Sequence, residues 1–224
     1  MGQYADFHQR SIQDRDAFWA EQAKQIEWHK EPTEICDYSN PPFAKWFKGG
    51  ETNLCHNALD RHLQDRGEQA ALIFVSTETD QEVTYTYRQL HAEVQRMAAT
   101  FLSLGVKKGD RVLIYMPMIA EASFAMLACA RIGAIHSVVF GGFASGSLAS
   151  RIEDASPKLI VSADAGSRGG KVVEYKPLLD EAIRLSAHKP DSVLLVDRGL
   201  AKMAKTEGRD LLWSNLRDQH MNDV

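Results

Sequence analysis

The sequence predicts an α/β protein: a mostly parallel sheet flanked by helices, with a helical N-terminal extension. Three observations carry that prediction. From residue 70 onward, short β-branched runs alternate with helix-length apolar patterns. One stretch, Arg111 to Phe143, reads strand, helix, strand with short connections, a parallel βαβ unit with a right-handed crossover. Two of the strand runs are followed by glycine-rich loops, and parallel sheets gather their ligands beyond the carboxyl ends of the strands.

Within the central unit, Arg111 to Tyr115 is an apolar run stopped by Pro117, which has no amide hydrogen to give a sheet. Ile119, Ala122, Met126 and Ala130 recur at helical spacing, with Phe124 and Leu127 beside them. Glu121 near the start and Arg131 near the end suit the helix dipole. Gly133 can take the left-handed conformation that stops the helix. Ile135 to Phe140 is the second strand, and Gly141-Gly142 follow at once.

Taken from the start, residues 1 to about 52 read as an extension packed on the main domain, which runs from 53 to 224. Trp19, Ala23 and Ile26, with Phe18 beside them, mark one face of a helix begun near Ser11 or Asp14. Ser39 to Gly50 reads as a loop with three aromatics. Those rings serve either as anchors or as a ligand platform, and anchoring is the commoner use of large rings. Asn53 caps the next helix, with Leu54, Ala58, Leu59 and Leu63 along its buried side. His56 and His62 lie six apart, the wrong spacing for two metal ligands on one helical face. Ala70 to Ser76 and Val83 to Tyr85 pair as a hairpin around Thr77 to Gln81. Thr86 and Gln89 have the form of a capping box, and Leu90, Val94, Met97, Phe101 and Leu104 give the helix behind it a core face ended by Gly105.

Beyond the central unit, a helix from about Ser147 to Ala155 closes at Pro157, and Leu159 to Ala163 is a strand. Asp164 to Lys171 is a loop, Leu178 to Leu185 a helix, and Val193 to Val196 the last clear strand. Leu211, Leu212, Trp213 and Leu216 are apolar, with no later element to bury them, as though the chain stopped in mid-domain.

Composition excludes several classes. The 224 residues allow one or two domains, and a net charge of −4 argues against nucleic acid or an anionic membrane as partner. Cys36, Cys55 and Cys129 are odd in number and form no C-x-x-C pair, which points to a reduced, cytoplasmic setting without structural zinc. The first ten residues hold no signal core, and Asp6 stands where a myristoylation motif wants Ser or Thr. The apolar window from Ile119 to Ala144 is interrupted by Arg131, Gly133 and His136, so it reads as a buried helix plus a strand.

Chemistry concentrates at the two glycine loops. Gly141-Gly142-Phe143-Ala144-Ser145-Gly146 lacks dinucleotide-fingerprint spacing, and serves either a tight turn or close approach of a ligand to the backbone. Ser167-Arg168-Gly169-Gly170-Lys171 sets two cations around two glycines. It suits an anion, with Arg168 forking onto a phosphate and Lys171 adding a point charge; a solvated basic turn is the alternative. The spacing from Gly166 to Gly170, and Val172 after Lys171, exclude the nucleotide-hydrolase phosphate loop. No G-x-S-x-G, no H-E-x-x-H and no nucleophile–base pair occurs, so no catalytic residue is assigned. His136, inside a strand run, reads as a core histidine, and the acids read as solvated helix faces.

Beyond what the residues say alone, ARIGAIHSVVFGGFA resembles the short-chain acyl-CoA synthetases of the adenylate-forming superfamily. Tyr85 to Leu90 is similar to their first core motif and Leu127 to Gly142 to their second. SNPPFAKWF, TNLCHNALDRHL, YMPMIAEA, VSADAGSRGGK and LLVDRGLAKMA resemble the propionate-activating branch in particular. The resemblance implies ATP, a carboxylate such as propionate and coenzyme A as substrates, Mg²⁺ as helper, and an acyl-adenylate intermediate. It implies that Arg168 to Lys171 hold the phosphorylated end of coenzyme A, with Lys171 standing where the acetate-activating branch has a second arginine. Phe140, Gly141 and Gly142 would line the same groove. The Ser/Thr/Gly-rich phosphate loop, the acyl pocket and the adenylation lysine of that family do not occur. The expectation is therefore the N-terminal part of a longer enzyme, inactive alone. An acetate-preferring synthetase and a non-catalytic coenzyme A- or phosphate-binding module are the other readings.

Overall fold

The computed structural model describes residues 2–219, apart from the Arg168 side chain. Contacts divide the chain into two compact units, Met1–Ala58 and Leu59–Val224.

The first unit begins with two helices, α1 (Gln3–Gln13) and α2 (Arg15–Ala23), broken at Asp14. Phe18 and Ala23 are buried, whereas Trp19 and Ile26 stay partly exposed. The segment read as an aromatic loop is instead an antiparallel hairpin, β1 (Glu34–Asn40) and β2 (Phe43–Lys48). Pro41-Pro42 makes only the turn, and the flanking residues pair. Trp46 packs edge-on to Trp19 with centroids 5.7 Å apart, and Phe47 lies 5.6 Å from Trp28. These rings are anchors within the unit. The unit ends with the short α3 (Leu54–Ala58), capped by Asn53, whose side-chain oxygen accepts from the His56 N–H at 3.1 Å. The expected single helix breaks here, because a 3₁₀ turn (Asp60–His62) intervenes before α4 (Leu63–Arg66). Leu59 is buried as expected, but Cys55 is buried in place of Leu54 and Ala58, which are exposed.

The second unit continues with the hairpin β3 (Ala70–Ser76) and β4 (Gln81–Thr86), then α5 (Tyr87–Ser103). The capping box forms in full: Gln89 N–H donates to Thr86 Oγ1 at 3.2 Å, and Thr86 N–H donates to Gln89 Oε1 at 2.9 Å. Next come β5 (Arg111–Met116), α6 (Ala120–Ile132), β6 (Ile135–Phe140), α7 (Ser145–Ala155) and β7 (Leu159–Ala163). The remainder is β8 (Ala165–Arg168), β9 (Lys171–Glu174), α8 (Tyr175–Leu185), β10 (Ser192–Val196), β11 (Asp210–Leu212) and α9 (Trp213–Leu216). Five strands pair in parallel in the order β6-β5-β7-β10-β11.

Leu113 and Tyr115 join a core with residues of α7 and α8, while Val112 and Ile114 are equally buried on the opposite face, where α6 packs on β5 and α5 on α6. Burial on both faces is why the central strands read as continuous apolar runs rather than alternating ones. The α6 stripe is rotated from expectation: Ala120, Phe124, Ala125, Ala128 and Cys129 are its buried residues. A helix apolar nearly all round does not announce its phase. Gly133 does end it, at φ +73°.

Several readings are corrected. Asp164 to Lys171 is no loop; β8 and β9 form an antiparallel hairpin in register Arg168↔Lys171. β11 pairs with β10, and Trp213 behind it is 6% exposed, so the apolar tail is partly housed. His136 is exposed, because β6 is an edge strand with β5 as its neighbour. Asp164 and the Asp210 side chain are fully buried, and Glu93 nearly so, which the picture of solvated acids missed.

Candidate functional site

Sequence order and sheet order part company at β5. The chain steps from β5 to β6 on one side, then returns across β5 to lay down β7 on the other. Such reversals open a crevice at the strand carboxyl ends. A cavity of about 540 Å³ lies there. Met116, Pro117 and Met118 line it from the end of β5, and Phe140, Gly141 and Gly142 from the end of β6. Ser167 and Val173 line it from the base of the β8–β9 hairpin, with Tyr175 and Glu78 completing the wall. A more open depression of about 650 Å³ surrounds Gly199 to Lys205, and none of the predicted site residues lines it.

Phe140 ends β6 and Gly141 and Gly142 follow it, as the sequence reading placed them. A Cβ on Gly141 would lie 2.2 Å from Tyr175 Oη and 2.7 Å from Tyr175 Cζ. A Cβ on Gly166 would lie 2.8 Å from Tyr175 Oη and 3.1 Å from Pro117 Cβ. Both glycines are demanded first by this ring. Tyr175 is 7% exposed, its centroid 5.0 Å from that of Tyr115, whose hydroxyl donates to Phe143 O at 3.2 Å. Burial pushes the Tyr115 phenol up to about 12; burial and then the nearby Glu78 charge raise that of Tyr175. Both phenols are neutral hydrogen-bond donors at physiological pH.

Gly169 and Gly170 form the two-residue tip of the hairpin, at φ +58° and +75°, with open space around each prospective Cβ. Positive φ at both positions is the type I′ hairpin turn, which matches the twist of the strands it joins. Their requirement is conformational, not one of space. The Arg168 side chain lies outside the described residues. Its backbone pairs with exposed Lys171, and strand alternation puts positions 168 and 171 on the hairpin face of Gly166 and Val173. Among the described lining residues Glu78 is the only charged one, and Gly169, Gly170 and Lys171 at the hairpin tip do not line the cavity.

Three residues near the hairpin escaped the sequence reading, and of them only Glu78 lines the cavity. Glu78 lies in the β3–β4 turn, where an acid looks solvated; its Oε1 accepts from the Ser167 N–H at 2.9 Å. Arg198 pairs with Glu78 Oε2 at 2.6 Å and donates to Ala165 O at 2.9 Å. Asp164, at the carboxyl end of β7, accepts from Leu200 N–H at 2.7 Å and Ala201 N–H at 3.2 Å through Oδ2; Oδ1 makes no hydrogen bond among the described residues. Only Asp164 carried a signal, an acid directly ending an apolar parallel strand.

A parallel sheet with a reversal in strand order, and a mostly apolar cavity at its strand ends, define an α/β domain of the nucleotide-binding type. Residues 59–221 match the family model of the AMP-binding enzymes, and residues 4–58 match that of the acetyl-coenzyme A synthetase N-terminus. The chain belongs to the AMP-binding enzyme family. It is 63% identical to a propionate–CoA ligase of Salmonella typhimurium over 218 residues, covering 97% of this chain and 35% of that protein. A propionate–CoA ligase of Escherichia coli is 62% identical over the same share of each chain. Among solved structures, acetoacetyl-CoA synthetase from Streptomyces lividans superposes with a TM-score of 0.86 at 27% identity, over 97% of this chain and 33% of that one. The chain spans about a third of the length of the relatives it matches. Among the described residues no helix is long and apolar enough to cross a membrane.

Proposed function

We propose that these residues are the N-terminal part of a cytoplasmic, ATP-dependent acid–thiol ligase that makes propionyl-CoA. A propionate oxygen attacks the α-phosphorus of ATP and expels pyrophosphate. The thiol of coenzyme A then attacks the propionyl carbonyl, gives up its proton, and AMP leaves. The cavity at the ends of β5 and β6 takes part of coenzyme A. Phe140, Gly141 and Gly142 form its floor, and Arg168, Gly169, Gly170 and Lys171 meet the phosphorylated end. Magnesium travels with ATP as substrate; among the described residues no cluster of three or more His, Cys, Asp or Glu side chains offers it a site.

The observation that carries this reading is that Ser167 and Val173 of the hairpin line one cavity with Phe140 to Gly142, 25 or more residues away in sequence, while Arg168 and Lys171 pair at the hairpin's tip. In the full-length ligase, Arg168→Ala is expected to raise the KM for coenzyme A about tenfold, the value of one charge-assisted hydrogen bond. Lys171→Ala should raise it less, as a single exposed charge does. The KM values for ATP and propionate should hold. The Arg168→Ala variant should also discriminate less between coenzyme A and dephospho-coenzyme A. Unchanged coenzyme A kinetics in both variants would remove the assignment.

The match of residues 4–58 to the acetyl-coenzyme A synthetase N-terminus keeps an acetate-preferring ligase as a second reading. A kcat/KM for propionate above that for acetate supports the first; the reverse order supports the second.

A further inference from the structure

We propose that Glu78 and Arg198 are positioning residues that hold the β8–β9 hairpin against the sheet, so that its tip meets the ligand already placed. The inference rests on the reading of that hairpin as a coenzyme A contact. A two-stranded ribbon is marginal on its own, because each strand keeps one edge of unpaired main-chain groups. In β8, residues two apart point their N–H and C=O to the same edge. The tip geometry makes Arg168 and Lys171 a hydrogen-bonded pair, so Gly166 and Arg168 face β9, whereas Ala165 and Ser167 face away from it. The outward groups are the N–H and C=O of Ala165 and of Ser167, and two of these four, Ala165 O and Ser167 N–H, meet side chains here.

Both are satisfied by one side-chain pair. Arg198 donates one N–H to Ala165 O at 2.9 Å, and Glu78 Oε1 accepts from Ser167 N–H at 2.9 Å. Between them, Arg198 and Glu78 Oε2 are 2.6 Å apart, with the arginine side chain 8% and the glutamate side chain 23% exposed. The pair thus continues the edge of β8 as a side-chain substitute for a neighbouring strand. Its members come from the β3–β4 turn and from the residue two past β10, so it ties the hairpin to two separate parts of the unit. Charge matters here, since hydrogen bonds to ionised partners are about twice as strong as neutral ones. A hairpin so held loses little freedom when it meets a phosphate, and pre-organisation of that kind appears directly in affinity.

The test uses the full-length ligase and two readouts. Glu78→Ala and Arg198→Met are each expected to raise the KM for coenzyme A about tenfold, with the KM values for ATP and propionate and the rate of ATP–pyrophosphate exchange unchanged. Amide hydrogen exchange across residues 165–174 should quicken at least tenfold, while β5 and β7 keep their protection. Should Glu78→Ala fail to fold, Glu78→Gln serves in its place. It keeps an acceptor for Ser167 and loses only the ion pair, so about threefold changes in both readouts are expected. Unaltered exchange at 165–174, or equal losses in all three KM values, overturns the positioning role. If Arg168→Ala shifts the coenzyme A kinetics while the Glu78 and Arg198 variants do not, the anchor fails and the site stands. If neither Arg168→Ala nor Lys171→Ala shifts the coenzyme A kinetics, the site itself fails.

Discussion

Replacing Lys176 by methionine is expected to cost about 3 kcal/mol of folding free energy at neutral pH, in the range seen when one partner of a buried ion pair is removed. The Lys176 side chain is 2% exposed and Asp210 0% exposed, with Nζ and the Asp210 Oδ2 2.9 Å apart. Asp180, one turn along α8, shares the ammonium, and Arg209 bridges Asp180 and Asp210 at 2.6 Å each. The cluster ties β11 to α8, and methionine keeps the volume while removing the ammonium between two carboxylates and leaving Arg209 as the cation they share. Burial alone pushes the Asp210 carboxyl up; the hydrogen bonds from Arg209, the Thr206 N–H and Lys176 outweigh it and hold it below its ordinary value. A folded-state pKa below the unfolded one, about 3.9 for aspartate, contributes stability above that value and loses it as the pH falls through the folded value. The penalty of Lys176→Met should therefore be full at pH 7 and shrink below about pH 4. Urea unfolding at pH 7 and pH 3.5 measures it. A penalty under about 0.5 kcal/mol at pH 7, within the scatter of surface substitutions, would show that the cluster is not a coupled unit.

Gly141→Ala should destabilise the fold by about 3 kcal/mol, at the upper end of what overpacking a core costs. The added methyl lands 2.2 Å from Tyr175 Oη, inside any van der Waals contact. Tyr175 cannot swing aside, because its ring packs against Tyr115 and belongs to the core of α7, α8 and the sheet. The strain falls on the β6–α7 turn, which lines the cavity. Gly146→Ala is the internal control: open space surrounds that position, inside α7, and alanine there should be neutral or stabilising by up to about 1 kcal/mol. Tyr175→Phe added to Gly141→Ala should recover only part of the loss, since Cζ remains 2.7 Å from the new methyl. Equal melting temperatures for Gly141→Ala and Gly146→Ala would show that the ring yields freely.

Local signals were read well wherever they were self-contained. The capping box at Thr86 and Gln89, the helix stop at Gly133 and the β3–β4 hairpin each depend on residues within a few positions of one another. Elements that need a distant partner were missed. β11 has three residues and no periodicity of its own, and pairing with β10 makes it a strand. The segment from Asp164 to Lys171 looked like a loop because glycines and charges dominate it, yet it belongs to a hairpin whose outer edge meets side chains from residues 78 and 198. The glycine at 141 read equally as turn or ligand approach and that at 166 only as part of a loop, and only the position of Tyr175 shows what each must avoid.

By itself the sequence determined the α/β class, the order of its main strands and helices and the two glycine segments, because short-range hydrophobic period and turn chemistry act between neighbours in the chain; the family resemblance came from its motifs. The tertiary structure decided which acids are buried, which face of α6 is covered, and that a turn after β6 and a hairpin after β7 close on one cavity. Those outcomes depend on contacts between segments tens of residues apart. Such contacts are set by how the layers pack, and no local pattern records them.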